Sequence, residues 1–457
     1  MVCRSATLSA IFALACLSPY APSSHAQTAF PATLAGHAVL AAASYIQAPA
    51  DAPTDLKISG KFTTGVRVEK LGSVEGLSAG RPTGIKVPFR GQALQGHSGI
   101  KKMSDGTFWI LTDNGFGSKA NSPDSMLYLN RYAVDFKKGK LKHLKTLFLH
   151  DPNKKVPFRI VHEGTAKRYL TGSDFDTESF QFAGGHLWIG DEFGPWLIKA
   201  DMHGRVIAVY ETTVDGKTVR SPDHPTLTTP GTPDGSVKFQ VRRSKGFEGM
   251  ASSPDGSKLY PLLEGAIWDE TAKAYESLDG KQYLRILEFD VDAGRYTGRH
   301  WKYVLEANHH AIGDFNLIDA TTGLIIERDN GEGTADRACP EGQQRSDCFH
   351  DLAKFKRVYK IEMNDANVGG AVRKVGYIDL LTIADPNSLA RKPLTNSANG
   401  PVLSFPFFTI ENVDIVDASH IVVGNDNNLP FSSSREPNRA DDNELILLEV
   451  KDFLQAR

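Results

Sequence analysis

Five stretches of this chain share one pattern. A polar or acidic residue opens a short apolar run, a tight turn follows, and a second apolar run ends in acidic and amide residues. The openings are His97-Ser98-Gly99-Ile100, Glu178-Ser179-Phe180, Glu248-Gly249-Met250, Asp314-Phe315-Asn316 and Glu411-Asn412-Val413-Asp414. The matching ends are Thr112-Asp113-Asn114-Gly115, Gly190-Asp191-Glu192-Phe193-Gly194, Leu263-Glu264-Gly265, Glu327-Arg328-Asp329-Asn330 and Gly424-Asn425-Asp426-Asn427. The openings at 97, 178, 248, 314 and 411 lie 81, 70, 66 and 97 residues apart. Self-similarity at such a period marks a repeat architecture, in which each unit buries its apolar faces by stacking on its neighbours. No stretch sustains a 3.6-residue apolar period, and the short runs are bounded by Gly, Asp, Asn and Pro, so the class is all-β. A third strand such as Met126-Leu127-Tyr128-Leu129 or Val358-Tyr359-Lys360-Ile361 often follows. Units of about four strands predict a β-propeller of about six blades, with five or seven also admitted. Residues 57–95 are expected to form a further blade, closed by residues 444–450. Residues 151–169 and 212–243 read as insertions on one rim.

The N-terminus sets the compartment. Arg4, an apolar run over residues 6–17 and Ser24-His25-Ala26 form the pattern of a cleaved signal peptide over residues 1–26. Residues 27–55, rich in Ala, Pro and Thr, read as a loose lead-in to a single domain spanning 56–457. No later stretch approaches the ~18 apolar residues of a membrane span. A periplasmic or secreted protein is expected. Cys339 and Cys348 bracket a polar loop of eight residues, and in an oxidising compartment they are expected to form a local disulfide. Lys+Arg 52 against Asp+Glu 54 leaves a net charge of −2. That balance offers no basic face, so a monomer acting on a small molecule is expected, rather than a nucleic-acid binder.

The acidic residues carry the functional signal. In a propeller the innermost strand of each blade lines a central channel, so residues at its ends converge on one mouth. Glu178, Glu248 and Glu411 open such strands, and Glu is a poor turn former; they are the candidate catalytic groups, with His97 beside them. Asp113, Asp191, Glu192, Glu264, Asp314, Glu327 and Asp426 are the candidate metal ligands. Convergent carboxylates repel unless something neutralises them, and Ca²⁺, which takes six to eight oxygens, is the expected cation. Arg243, Lys245, Arg328 and Arg435 lie close to these clusters in sequence and suit a phosphorylated substrate. Asp105, Asp255 and Gly256 read as turn formers. There is no P-loop, H-E-x-x-H or strand-borne G-x-G-x-x-G.

Taken together, several segments resemble the phytase-like family, described by the "esterase-like activity of phytase". They are Gly96-His97-Ser98-Gly99-Ile100 with Thr112-Asp113-Asn114-Gly115, and Asp176-Thr177-Glu178-Ser179 with Gly190-Asp191-Glu192-Phe193-Gly194. Arg243-Ser244-Lys245-Gly246-Phe247-Glu248-Gly249-Met250, Glu411-Asn412-Val413-Asp414, Gly424-Asn425-Asp426-Asn427-Asn428 and Asp441-Asp442-Asn443-Glu444 complete the set. The resemblance spans about residues 72–450 and implies a secreted, acid-rich propeller with a phosphoesterase role. In the first unit Gly-His-Ser-Gly stands where Gly-Leu-Ser-Gly is expected, which singles out His97. The reading is therefore a metal-dependent phosphoric-ester hydrolase. Two alternatives share the same mouth: a non-catalytic, calcium-stabilised propeller that binds a ligand or protein partner, and a lactonase-like propeller hydrolase.

Overall fold

A computed structural model describes residues 27–343, 345–392, 395–397 and 400–457, with the side chains of 395–397 left undescribed. The signal segment, residues 1–26, lies outside the described residues. The protein is a β-propeller. Four antiparallel strands make each of the first four blades, in sequence order. The first blade runs His97–Lys102, Phe108–Thr112, Tyr128–Asp135, Lys140–Phe148. The second runs Thr177–Ala183, His186–Asp191, Trp196–Ala200, Val206–Glu211. The third runs Phe247–Ser252, Lys258–Leu263, Lys281–Asp290, Arg295–Val304. The fourth runs Ala311–Leu317, Thr322–Arg328, Lys356–Glu362, Arg373–Asp379. The fifth takes Ile410–Ile415, His420–Asn425 and Asn443–Glu449 from the C-terminal part, and its outer strand is Thr33–Leu40.

The inner strand of each blade packs against those on either side, and that of blade five packs against blade one, so five blades close the ring. Five apolar layers fill the spaces between them. Leu111, Leu129, Phe180 and Ile189 lie between blades one and two. Trp188, Leu197, Met250 and Leu287 lie between two and three, and Leu262, Ile286, Phe315 and Ile325 between three and four. Ile326, Val358, Val413 and Ile421 join four to five, and Ile100, Ile110, Val422 and Leu445 join five to one. Side chains alternate across a strand. Ile110 therefore faces blade five and its neighbour Leu111 faces blade two, which is why Phe108–Thr112 is apolar and buried almost throughout.

Five is the lowest of the expected blade counts, and two expectations about the first part of the chain are corrected. Residues 57–95, broken by Gly72, Gly76, Gly80, Gly84 and Pro88, cannot span a blade. They form a cap of short pairs instead, the longest being the hairpin Val74–Ser78 with Arg81–Val87. The cap packs on Phe116 and Leu429, which lie in the loops that follow Asp113 and Asp426, so it covers the mouth beside blades one and five. The lead-in is no loose tether, because Thr33–Leu40 pairs antiparallel with Asn443–Glu449 from Thr33–Glu449 to Leu40–Asn443. The last strand is thus the third of its blade rather than the closing one.

A buried polar contact fastens this closure. His37 Nδ1 accepts from the Arg391 amide at 3.1 Å, so its Nε2–H donates to Glu444 Oε2 at 3.0 Å. Arg435 holds the same carboxylate through Nε and Nη2, each at 2.7 Å. Burial opposes ionisation of Glu444, but Arg435 and His37 hold its pKa down at about 2. His37→Ala removes one partner from a buried carboxylate and should cost about 1–3 kcal/mol. Denaturant melting checks this, and an unchanged midpoint would show that the closure does not depend on the contact.

Candidate active site

The inner strands carry an irregularity at the same level in every blade. In blades two, three and five the ladder passes from Thr177 to Ser179, from Phe247 to Gly249 and from Ile410 to Asn412. Glu178, Glu248 and Glu411 are the residues left out. A β-bulge leaves one residue unpaired and re-aims its side chain, and these three bulges aim three carboxylates at one another. In blade one the ladder skips Gly99, and in blade four it passes from Ile312 to Phe315.

Six buried carboxylates meet here. Oxygens of Glu178, Glu248 and Glu411 lie within 4.8 Å of one another, as do those of Asp176, Glu178 and Glu192, and those of Glu192, Glu248 and Glu264. Glu192 and Glu264 come from the residue just past the second strand of their blades. Asp113 and Asp426 occupy that same position in blades one and five, and the charge of Glu411 reaches both. Two cations answer this charge. Lys245 Nζ donates to Glu264, and Arg328 Nη2 donates to Glu411 Oε1 at 3.3 Å. Ser98 Oγ donates to Glu411 Oε2 at 2.9 Å.

The electrostatic outcome follows from burial among like charges. Burial first, then the neighbouring carboxylates, pushes Glu178, Glu192 and Glu248 well above the usual carboxylate range. The same causes lift Asp113 to about 7 and, against a lowering contact with Glu178, Asp176 to about 8. Burial raises Glu411 as well, with Arg328 and Ser98 opposing it. Asp176 Oδ1, Glu192 Oε1 and Glu264 Oε1 are buried and hydrogen-bonded to none of the described residues.

Residues 92–429 match the sequence profile of the phytase-like family, described as "esterase-like activity of phytase". The chain belongs to the phytase-like family. A relative from Arthroderma benhamiae, described as an uncharacterized secreted protein, is 28% identical over 228 residues, covering 43% of this chain and 42% of its own length. Among solved structures, the periplasmic gluconolactonase of Pseudomonas aeruginosa is 14% identical, with a TM-score of 0.28 over 86% of this chain and 98% of that one. The Dos1 propeller is 8% identical, with a TM-score of 0.27 over 80% of this chain and 69% of that one. Likeness at this level bears on neither substrate nor chemistry.

The phytase-like core brings together Glu178, Glu248, Glu411, Glu192, Glu264, Asp113, Asp426, Lys245 and Arg328. It places the other expected site residues elsewhere. Asp191 accepts from the amides of Asp176 and Gly194 at 2.8 and 2.7 Å and shapes the turn. Asp314 accepts from the amides of Ile100, Val413 and Phe315 and ties blades one, four and five together. Glu327 is taken up by Tyr303, the Glu306 amide, His310 and Lys374. These three carboxylates are engaged by the chain's own donors and lie outside the three groups of converging oxygens. His97 points away from its neighbour Ser98, its Nε2 lying 3.1 Å from Tyr132 Oη, and burial drives its pKa down to about 3. Its ring packs against Tyr132, and it lies outside the converging carboxylates. Arg243 is exposed and pairs with Asp223, while Arg435 is committed to Glu444. The expected disulfide Cys339–Cys348 is present.

Asp176 and Ser98 were missed as site residues. Asp176 stands two before Glu178, a period-two spacing that puts both on one face of an extended strand; that spacing is the signal that could have found it. Ser98 occupies in blade one the position that Glu178, Glu248 and Glu411 hold elsewhere.

Proposed function

We propose that this phytase-like protein is an exported, divalent-cation-dependent hydrolase of phosphoric esters, working at the carboxylate cluster. The observation that carries the reading is the set of three buried, unpartnered carboxylate oxygens on Asp176, Glu192 and Glu264 within a cluster of six acids. A buried anion left without partners is costly. An all-oxygen donor set suits a hard cation such as Ca²⁺, and Asp176, Glu178, Glu192, Glu248 and Glu264 would hold it. When bound, such an ion polarises a phosphoryl oxygen and makes water more acidic.

The remaining roles belong to the chain. Arg328, whose Nε–H meets no partner among the described residues, offers charge to the phosphoryl group. Glu411 is held by Ser98 and Arg328 at the edge of the cluster, burial raises its pKa above the ordinary carboxylate value, and its place makes it the general base of this reading. The disulfide and the secreted relative support export. Among the described residues no helix is long and apolar enough to cross a membrane.

Turnover of a phosphomonoester, a phosphodiester, phytate, a carboxylic ester and a lactone by residues 27–457, with Ca²⁺ and with chelator, tests the proposal. Calcium-dependent cleavage of a phosphoester is the expected result. Cleavage of the lactone alone would make this a lactonase-like propeller. No turnover with a large calcium-dependent rise in melting temperature would make the cluster a structural or binding site.

A further inference from the structure

A cavity of about 520 Å³ lies against the cap hairpin. Its lining includes Arg81, Asn330, His350, Phe408, Asn428 and Phe431. Two of these residues connect it to the cluster. Asn330 Oδ1 accepts from Arg328 Nη1 at 3.2 Å, and the Asn428 amide donates to Asp426 Oδ1 at 2.8 Å. The Arg328 guanidinium also lies 5.6 Å from the Phe408 ring.

Two features of the lining define what fits. The first is an unsatisfied donor. Arg81 is 4% exposed, and its Nη2 is engaged by Glu332, Ser433 and Ser78, yet its Nε–H is buried and meets no partner among the described residues. Arg81 also lines the cavity, where its guanidinium is the cation that can meet an anionic group on a ligand. The second is the apolar surface. Phe408 is 40% exposed on the cavity side of Arg328, with Phe431 also in the wall. The charge of the lining argues against a polyanion. Arg81 is already paired with Glu332, and Asp351 adds a further carboxylate.

We infer that this cavity is the subsite selecting the substrate, and that it takes a compact organic anion with a single charged group and an aryl-sized apolar body. Arg81 is the donor to the anion, and Phe408 and Phe431 contact the body. The inference rests on the proposed reading for the identity of the reacting ester. It does not borrow from the family match, because Arg81 and Phe431 lie outside residues 92–429. The cap hairpin that carries Arg81 lies outside the matched residues.

Calorimetric titration of residues 27–457 in chelator, where no turnover interferes, tests it. The probes are 1-naphthyl phosphate, 1-naphthylacetate and inositol hexakisphosphate. Binding of one or both naphthyl anions is expected, with inositol hexakisphosphate weaker. The phosphate and carboxylate arms tell which anion the subsite prefers. Arg81→Met should weaken the naphthyl anions about tenfold or more, the worth of a hydrogen bond to a charged group. Phe408→Ala should weaken them roughly fivefold or more through the lost aromatic contact. Phe408 is half-exposed, so that variant keeps the fold if Arg81→Met does not. Tighter binding of inositol hexakisphosphate, or naphthyl affinities unmoved by Phe408→Ala, overturns the inference. The two readings fail separately: naphthyl binding with these dependences and no ester cleavage removes the hydrolase and leaves the subsite. Calcium-dependent cleavage with KM unmoved in both variants does the reverse.

Discussion

Glu248→Gln should lower turnover by roughly 10²–10⁴-fold, and should make the cation-free protein more stable at pH 8, by about 1 kcal/mol. The two effects have one origin. Glu248 belongs to two of the three carboxylate groups, so it joins Glu178 and Glu411 on one side to Glu192 and Glu264 on the other. The amide keeps the shape of the side chain and removes its charge. A cation then loses a ligand that two groups share, while the remaining carboxylates lose a neighbour that repels them. Steady-state rates with Ca²⁺ and melts in chelator check the pair of outcomes. A variant that is inactive and also less stable in chelator would show that Glu248 stabilises the empty site, and the repulsion account would fall.

Calcium should stabilise the protein far more at pH 8 than at pH 5. The sign follows from the direction of the shifts. Asp113 at about 7, Asp176 at about 8, and Glu178, Glu192 and Glu248 all sit above their ordinary values. Between about pH 4 and pH 8 this cluster therefore holds more protons in the folded protein than in the unfolded chain. Without a cation the cluster's contribution to stability is greatest on the acid side and falls as pH rises through that window. A cation bound to the same oxygens replaces those protons. At a concentration a hundredfold above Kd it contributes ~2.7 kcal/mol, and at pH 5 protons compete for the site and shrink this gain. Melting temperatures with Ca²⁺ and with chelator at the two pH values measure it. An equal or larger gain at pH 5 would place the ion away from these carboxylates.

Much of the ring was legible because each blade repeats a local pattern. The openings at 97, 178, 248, 314 and 411 fall on or next to the inner strands, and Glu178, Glu248 and Glu411 stood out because Glu has no business forming a turn. What the sequence hides is non-local. The partner of Thr33–Leu40 is some four hundred residues away, so the count of blades could not be read from neighbouring runs. Nor does sequence separate a carboxylate that accepts backbone amides from one that meets nothing. Asp191 and Glu192 are adjacent, and only the fold shows that the first shapes a turn while the second faces other acids. His97 illustrates the same point along one strand, since alternation sends it toward Tyr132 and sends Ser98 toward Glu411.

The pairing of Thr33–Leu40 with Asn443–Glu449 also fixes an order of events in the making of the molecule. Translation at ~5–20 residues per second separates the two strands by roughly 20–80 s. Blades one to four can assemble from contiguous chain during that interval, each with its own four strands. The fifth cannot be completed until nearly the last residue has emerged. Until then the nascent protein presents open strand edges, the surfaces most prone to pair with other chains. Closure thereby acts as a completeness check: a chain cut short before residue 443 lacks the strand onto which its own beginning must fold.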